Sequence, residues 1–250
     1  MLDLINQALA LPGLGWLVGA LMVAGLVRGF SGFGSALIIM PVASSVLSPF
    51  AAIAFLTVVE FFGPLPNLRD ALRKGSIREV GLLTLGVVVA LPVGLTLLSQ
   101  VSPEVFNWIV SCVVLVLLAL LIAGWRYNGQ LRPTSIVGIG CSGGFLAGLV
   151  GIPGPPVIMF YMASSQAISV IRANFLLYLF SVDVIMIVSF VLLGTLDIVA
   201  IVVALLMVLP YMAANVIGAS LFNPNAERTF RLVAYAIIAA SAVVGLPIWG

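Results

Sequence analysis

The sequence contains no histidine, only two cysteines and very little charge. Without histidine, the base of a Ser-His-Asp or Cys-His nucleophile is missing. Cys112 and Cys141 stand far apart and neither belongs to a Cys-x-x-Cys pair. Zinc and haem therefore lack a ligand set, and both cysteines read as small buried packing residues. No Gly-x-x-x-x-Gly-Lys-Ser/Thr loop occurs, so ATP has no such phosphate cradle. Charged residues make up 7% of the chain, against about 25% in a soluble domain. The net charge of +2 leaves no basic patch for a nucleic acid. The opening Met1-Leu-Asp-Leu-Ile-Asn lacks a positive n-region and reads as no cleavable leader. No cofactor is called for, and catalysis is not expected.

What the chain has instead is apolar length: 63% of its residues are hydrophobic. The runs 14–27, 80–98, 105–123, 175–193 and 198–221 carry one formal charge among them, Asp183. A helix needs roughly 20 apolar residues to span a bilayer core of about 30 Å. Lipid admits only helices or closed barrels, and the runs show no period of two. The expected fold is an all-α integral membrane protein.

The chain also repeats itself. At an offset of 119, Gly25, Gly29 and Gly32 fall on Gly144, Gly148 and Gly151. Ile38-Ile39-Met40 falls on Val157-Ile158-Met159, and Gly75-Ser76-Ile77 on Gly194-Thr195-Leu196. The register then drifts, with Gly94 matching Gly218 and Glu104 matching Glu227. This divides the chain into an N-terminal repeat 1–126, a polar loop 127–134 and a C-terminal repeat 135–250. Each repeat reads as about five helical segments: 12–28, 35–47, 50–65, 80–98 and 105–124, matched by 135–149, 155–163, 170–193, 198–221 and 230–249. Several are too short to span alone at about 1.5 Å per residue, which implies broken or re-entrant helices at the glycine-rich elements.

Charge argues the topology. If each glycine break reverses the chain, Arg69, Arg73, Lys74, Arg78, Arg126, Arg132, Arg172, Arg228 and Arg231 fall on one side, with Arg28 there or inside the membrane. The other side holds Asp3, Glu104 and Asp197. By the positive-inside rule the basic loops are cytoplasmic and both termini periplasmic. An odd number of crossings per repeat makes the repeats inverted, an architecture common among transporters. The basic run 69–78 reads as a topology determinant with some contact to anionic lipid.

Three sets of residues could carry chemistry. The breaks Gly29-Phe-Ser-Gly-Phe-Gly-Ser35 and Gly148-Leu-Val-Gly-Ile-Pro-Gly-Pro-Pro156 come first. Ser35 and Pro155 would start new helices, whose free N–H groups can seat an oxyanion. Gly32, Gly34, Gly151 and Gly154 would allow close backbone approach; the plain alternative is that small residues let membrane helices pack. Second, Glu60 and Asp183 are ionisable residues within apolar segments, where burial would raise a carboxyl pKa toward neutrality and suit it to binding a coupling proton. The alternative is that each is paired or wetted near the interface. Third, Arg28 and Arg172 flank the glycine elements and suit oxyanion recognition, or else act as cytoplasmic anchors. Asn67, Asn174, Ser181 and Asn215 could complete a pocket or bridge helices. Tyr161 and the four tryptophans read as packing or interface residues.

These elements together — the two breaks, Pro41 after the first, Gly151-Ile-Pro-Gly-Pro-Pro156 in the second, and the basic loop Leu68-Arg-Asp-Ala-Leu-Arg-Lys-Gly-Ser-Ile-Arg78 — resemble the TauE/SafE sulfite exporter family along nearly the whole chain. The sequence departs from the family pattern at Phe33 and Ser35, where more glycine is common. The resemblance implies secondary transport of a sulfur-containing anion such as sulfite, sulfoacetate or another organosulfonate. With the buried acids it gives the leading expectation, a proton-coupled exporter in a bacterial inner membrane. A passive anion channel, its pore lined by the breaks, is the alternative. Expected partners are the small anion and membrane lipid, and a homo-oligomer is compatible with the sequence.

Overall fold

A computed structural model describes residues 2–124, 132–161, 167–221 and 227–248. Its secondary structure is helical, with no strand among the described residues. The helices are α1 (Leu2–Leu9), α2 (Leu14–Ser31), α3 (Ser35–Val46), α4 (Pro49–Phe61), α5 (Leu68–Lys74), α6 (Ile77–Leu98), α7 (Pro103–Ile122), α8 (Pro133–Val150), α9 (Gly154–Tyr161), α10 (Ile168–Leu193), α11 (Ile198–Leu221) and α12 (Glu227–Val244). A 3-10 turn, Leu65–Asn67, precedes α5. Among the described residues, α2, α6, α7, α8, α10 and α11 are long and apolar enough to cross a bilayer. The chain is a multi-pass membrane protein, and the expected all-helical class holds.

Local chemistry explains where the boundaries differ from those expected. Helix α4 stops at Phe61, because Gly63 and Pro64 follow and proline neither donates an N–H nor lets its predecessor stay helical. Helix α2 runs on to Ser31, so Arg28 lies in its last turn. The basic stretch expected as a loop instead holds α5. Helix α12 ends at Val244, short of the expected 249; Trp249 lies outside the described residues, as do Arg126 and residues 127–131 of the expected loop between repeats.

The helices cluster into two compact units. Unit 1 comprises 1–59, 101–122 and 195–250; unit 2 comprises 60–100 and 123–194. Each unit draws on both sequence halves.

Unit 2 is built on α6 against α8. A methyl group added at Gly140, Gly144 or Gly148 would collide with the backbone of Leu83, Val87 or Leu91 respectively. The numbers rise together in steps of four, so the two helices run parallel and in register. Gly86 and Gly94 of α6 return the contact, meeting Cys141 and Leu149. Helix α10 also runs parallel to α6: Glu79 pairs with Asn174, and Thr84 with Ser181. Since α8 and α10 share one direction, the chain returns between Val150 and Ile168.

Unit 1 repeats the device with α2 against α11. A methyl on Gly25 would meet Ala214 Cβ and the Tyr211 carbonyl at 2.8 Å, and one on Gly29 would meet Gly218 at 2.8 Å. Under the 119-residue offset α8 corresponds to α2, so Gly144 and Gly148 do in unit 2 what Gly25 and Gly29 do in unit 1. Lipid tails are as apolar as leucine, so close contact between backbones, rather than release of apolar surface from water, holds such helices together.

Candidate functional site

The first break is organised by backbone conformation. The N–H of Gly32 bonds the Arg28 carbonyl at 2.7 Å, and Gly32 and Gly34 have φ of +78° and +95°. These are values that only glycine adopts readily. Just before them the Ser31 hydroxyl lies 2.6 Å from the Val27 carbonyl and 2.7 Å from that of Phe33. Helix α3 starts at once with the buried Ser35. One guanidinium nitrogen of Arg28 donates to Ser35 Oγ at 3.3 Å and to the hydroxyl of Tyr211 at 3.1 Å. Tyr211, on α11, is fully buried and packs against Gly25, where a Cβ would crowd the ring. Helix α12 flanks the break: Phe30 packs on Phe230 with ring centroids 5.1 Å apart, and Ile238 lies beside Gly34. A half-buried cation thus stands at the start of a helix whose first N–H groups have no intrahelical partner. That arrangement suits an oxyanion.

The second break lies in unit 2 and is built differently. Helix α8 ends at Gly151, φ +71°, whose N–H bonds the Ala147 carbonyl. Ile152 N–H reaches the Leu146 carbonyl at 3.3 Å, so a left-handed glycine with a 5→1 bond closes the helix. Helix α9 begins at Gly154 with Pro155 in its first turn, where a missing N–H costs nothing. Tyr178, fully buried on α10, donates to the Pro153 carbonyl at 3.4 Å. Its hydroxyl occupies the space that Gly143 leaves open. The position matching Arg28 is Ala147, so the repeat carries its cation at the first break only.

The other expected residues have distinct settings. Arg28, Gly32, Gly34 and Ser35 come together in unit 1; Gly151, Gly154 and Pro155 come together in unit 2. Asn67 is exposed at the end of its 3-10 turn, and Arg172 is exposed on α10. Asn174 is completely buried. Its Oδ1 accepts from the Ser76 N–H at 2.7 Å and its Nδ2 donates to Glu79 at 3.0 Å. Ser76 in turn caps α6, accepting from the Glu79 N–H. Asn174 therefore latches α10 to the start of α6. We expect Asn174→Leu to cost about 1–3 kcal/mol by leaving buried polar groups unpaired, while thermal shifts induced by ligand stay intact. Loss of the ligand response at unchanged stability would make Asn174 a binding residue instead.

Glu60 is half-buried in the last turn of α4, next to Phe61, whose ring stacks on Phe180 of α10 at 5.4 Å. Asp183, also half-buried, follows Phe180 by one turn. The two acids thus occupy one neighbourhood of unit 2. Ser181 is engaged with Thr84 at 2.9 Å. Tyr211 and Tyr178 escaped the sequence reading. The available signal was a hydroxyl inside an apolar run, which when buried must find a partner.

The family model described as sulfite exporter TauE/SafE matches residues 17–244. No curated protein and no solved structure matches the chain. The match takes in both glycine breaks, Arg28 and Tyr211, and the chain belongs to the TauE/SafE sulfite exporter family.

Proposed function

We propose that this protein is a secondary transporter that exports a small sulfur-containing anion (sulfite, sulfoacetate or a related organosulfonate) out of a bacterial cell in exchange with or alongside protons. The observation that carries the reading is the Arg28 guanidinium hydrogen-bonded to Ser35 at the first residue of α3. Gly32 and Gly34 bring no side chain of their own to this point, and Tyr211 accepts from the same guanidinium nitrogen as Ser35. The break at Gly151, Gly154 and Pro155 supplies the matching bare helix start of the other repeat. Within unit 2, the exposed Arg172 and Asn67 are the proposed polar contacts for the anion.

Several observations support the rest of the reading. The return of the chain between α8 and α10 agrees with reversal at the breaks, hence with inverted repeats, cytoplasmic basic loops and periplasmic termini. Family membership favours a carrier over a passive channel. Glu60 and Asp183 are the proposed proton carriers, since a carboxyl within an apolar segment is costly to keep charged.

The deciding experiment is a ligand panel on purified protein, read as a shift in unfolding temperature, because a ligand that binds only the folded state stabilises it. Sulfite, sulfoacetate, thiosulfate, taurine, sulfate, acetate and chloride form the panel. Stabilisation by a sulfur oxyanion and not by acetate or chloride is expected; a response confined to acetate would refute the substrate class. For coupling, Glu60→Gln in proteoliposomes should fold normally and lose flux driven by a pH gradient. Proton-driven flux like that of the wild type would remove Glu60 from the mechanism.

A further inference from the structure

The short helix α5 and the first turn of α6 have three sides with different chemistry. Leu68 and Ala71 face inward, packing with Ala173, Leu176 and Leu177 of α10 and with Val80. Asp70 and Lys74, one turn apart, close an exposed ion pair at 2.8 Å. The third side carries Arg69, Leu72 and Arg73 at the i, i+3, i+4 spacing that puts side chains on one face. Both arginines are exposed, and so is Leu72 at 51%. The next exposed residues continue the pattern: Ile77, 70% exposed, and then Arg78. An exposed leucine and isoleucine among arginines gain nothing from water.

Ile77 is also where the 22-residue span α6 begins. A helix seven residues long that ends two residues before a span, held to it by the capped turn at Ser76, lies at the boundary between bilayer and water. Amphipathic helices with arginine beside leucine lie in that plane, apolar side chains in the acyl boundary and cations at the headgroups. Anionic lipid attracts each such cation, and guanidinium matches phosphate with paired hydrogen bonds.

We propose that α5 and the first turn of α6 form a docking surface for the anionic phospholipid headgroups of the bilayer, with Arg69, Arg73 and Arg78 binding phosphate and Leu72 and Ile77 entering the acyl boundary. The charge is complementary, and Asp70, which would oppose it, is already engaged by Lys74. Because α5 rests on α10, which in turn touches the second break through Tyr178, headgroups bound here stabilise unit 2.

The test uses the full chain in nanodiscs of phosphatidylcholine with or without phosphatidylglycerol. Phosphatidylglycerol should raise the unfolding temperature by about 5 °C. The triple variant Arg69→Gln/Arg73→Gln/Arg78→Gln should match the wild type in phosphatidylcholine and lose that increment. Should the triple variant fail to insert, Leu72→Gln, which keeps every charge, should lose about half of the increment. An undiminished increment in either variant overturns the proposal. An equal rise from inorganic phosphate in pure phosphatidylcholine overturns it too, making the arginines a general anion site.

Discussion

Arg28→Gln should weaken binding of the transported sulfur oxyanion by about 10- to 100-fold. A hydrogen bond to a charged group contributes about 1.5–3 kcal/mol, and each 1.4 kcal/mol is about tenfold in affinity. Arg28 is the residue whose loss removes both charge and fork from the first break, where Ser35 opens α3. The variant should fold: glutamine is uncharged, and it can still bond Ser35 or Tyr211. Arg28→Lys separates charge from geometry, since an ammonium keeps the former and lacks the paired donors; it should fall between the wild type and glutamine. Tyr211→Phe removes one acceptor and leaves the charge, and about 1 kcal/mol, or roughly fivefold, is the expected loss. Isothermal titration with the ligand found in the thermal panel gives all three constants. If the glutamine variant bound that ligand as well as the wild type, the first break would not be the seat of the anion, and the second break would be the next place to look.

The contrast between Arg28 and Tyr211 marks the limit of the sequence. An arginine bordering an apolar run is conspicuous, because its burial costs free energy that something must offset. Its partner lies 183 residues away in the chain, in a helix of the other repeat, and nothing local in either segment announces the pairing. The same holds for the glycines. Their matched positions showed two equivalent breaks, yet composition cannot separate a glycine that turns the chain from one that admits a neighbour. In the structure the division is sharp: Gly32, Gly34 and Gly151 have positive φ, whereas Gly25, Gly29, Gly144 and Gly148 are helical and face another backbone. The packing reading therefore describes Gly25, Gly29, Gly144 and Gly148, while Gly32, Gly34 and Gly151 turn the chain at the breaks. Asn174 shows a polar side chain engaged across two helices. A polar side chain in a membrane segment suggested a ligand contact, but its amide is spent on Ser76 and Glu79. Helix α5 escaped because seven residues give two turns, too few for a period to stand out against a run rich in arginine.

The packing glycines yield the second large effect. Gly148→Val should destabilise the protein by about 3 kcal/mol or more, the upper range for forcing extra atoms into a packed contact, or roughly 6–12 °C in unfolding temperature. The clash is not with a side chain that can turn away. A Cβ at 148 would press on the Leu91 carbonyl and stand 2.9 Å from the Leu95 nitrogen, so α6 and α8 must separate along their length. Separation also loosens Gly94, which packs on the same turn. Gly29→Val should do equal damage in unit 1, because it faces the backbone of Asn215, Gly218 and Ala219 in α11. Gly138→Val supplies the control: it lies in the same helix as Gly148, and nothing stands within 4 Å of the added Cβ. The control shares the helix and the glycine-to-valine change, so any general effect of valine on α8 appears in both variants, and the difference between them isolates the contact. Thermal unfolding followed by size-exclusion chromatography reads all three. Similar midpoints for Gly138→Val and Gly148→Val would mean that the α6–α8 contact is not close-packed, and the equivalence drawn between α2–α11 and α8–α6 would fall with it.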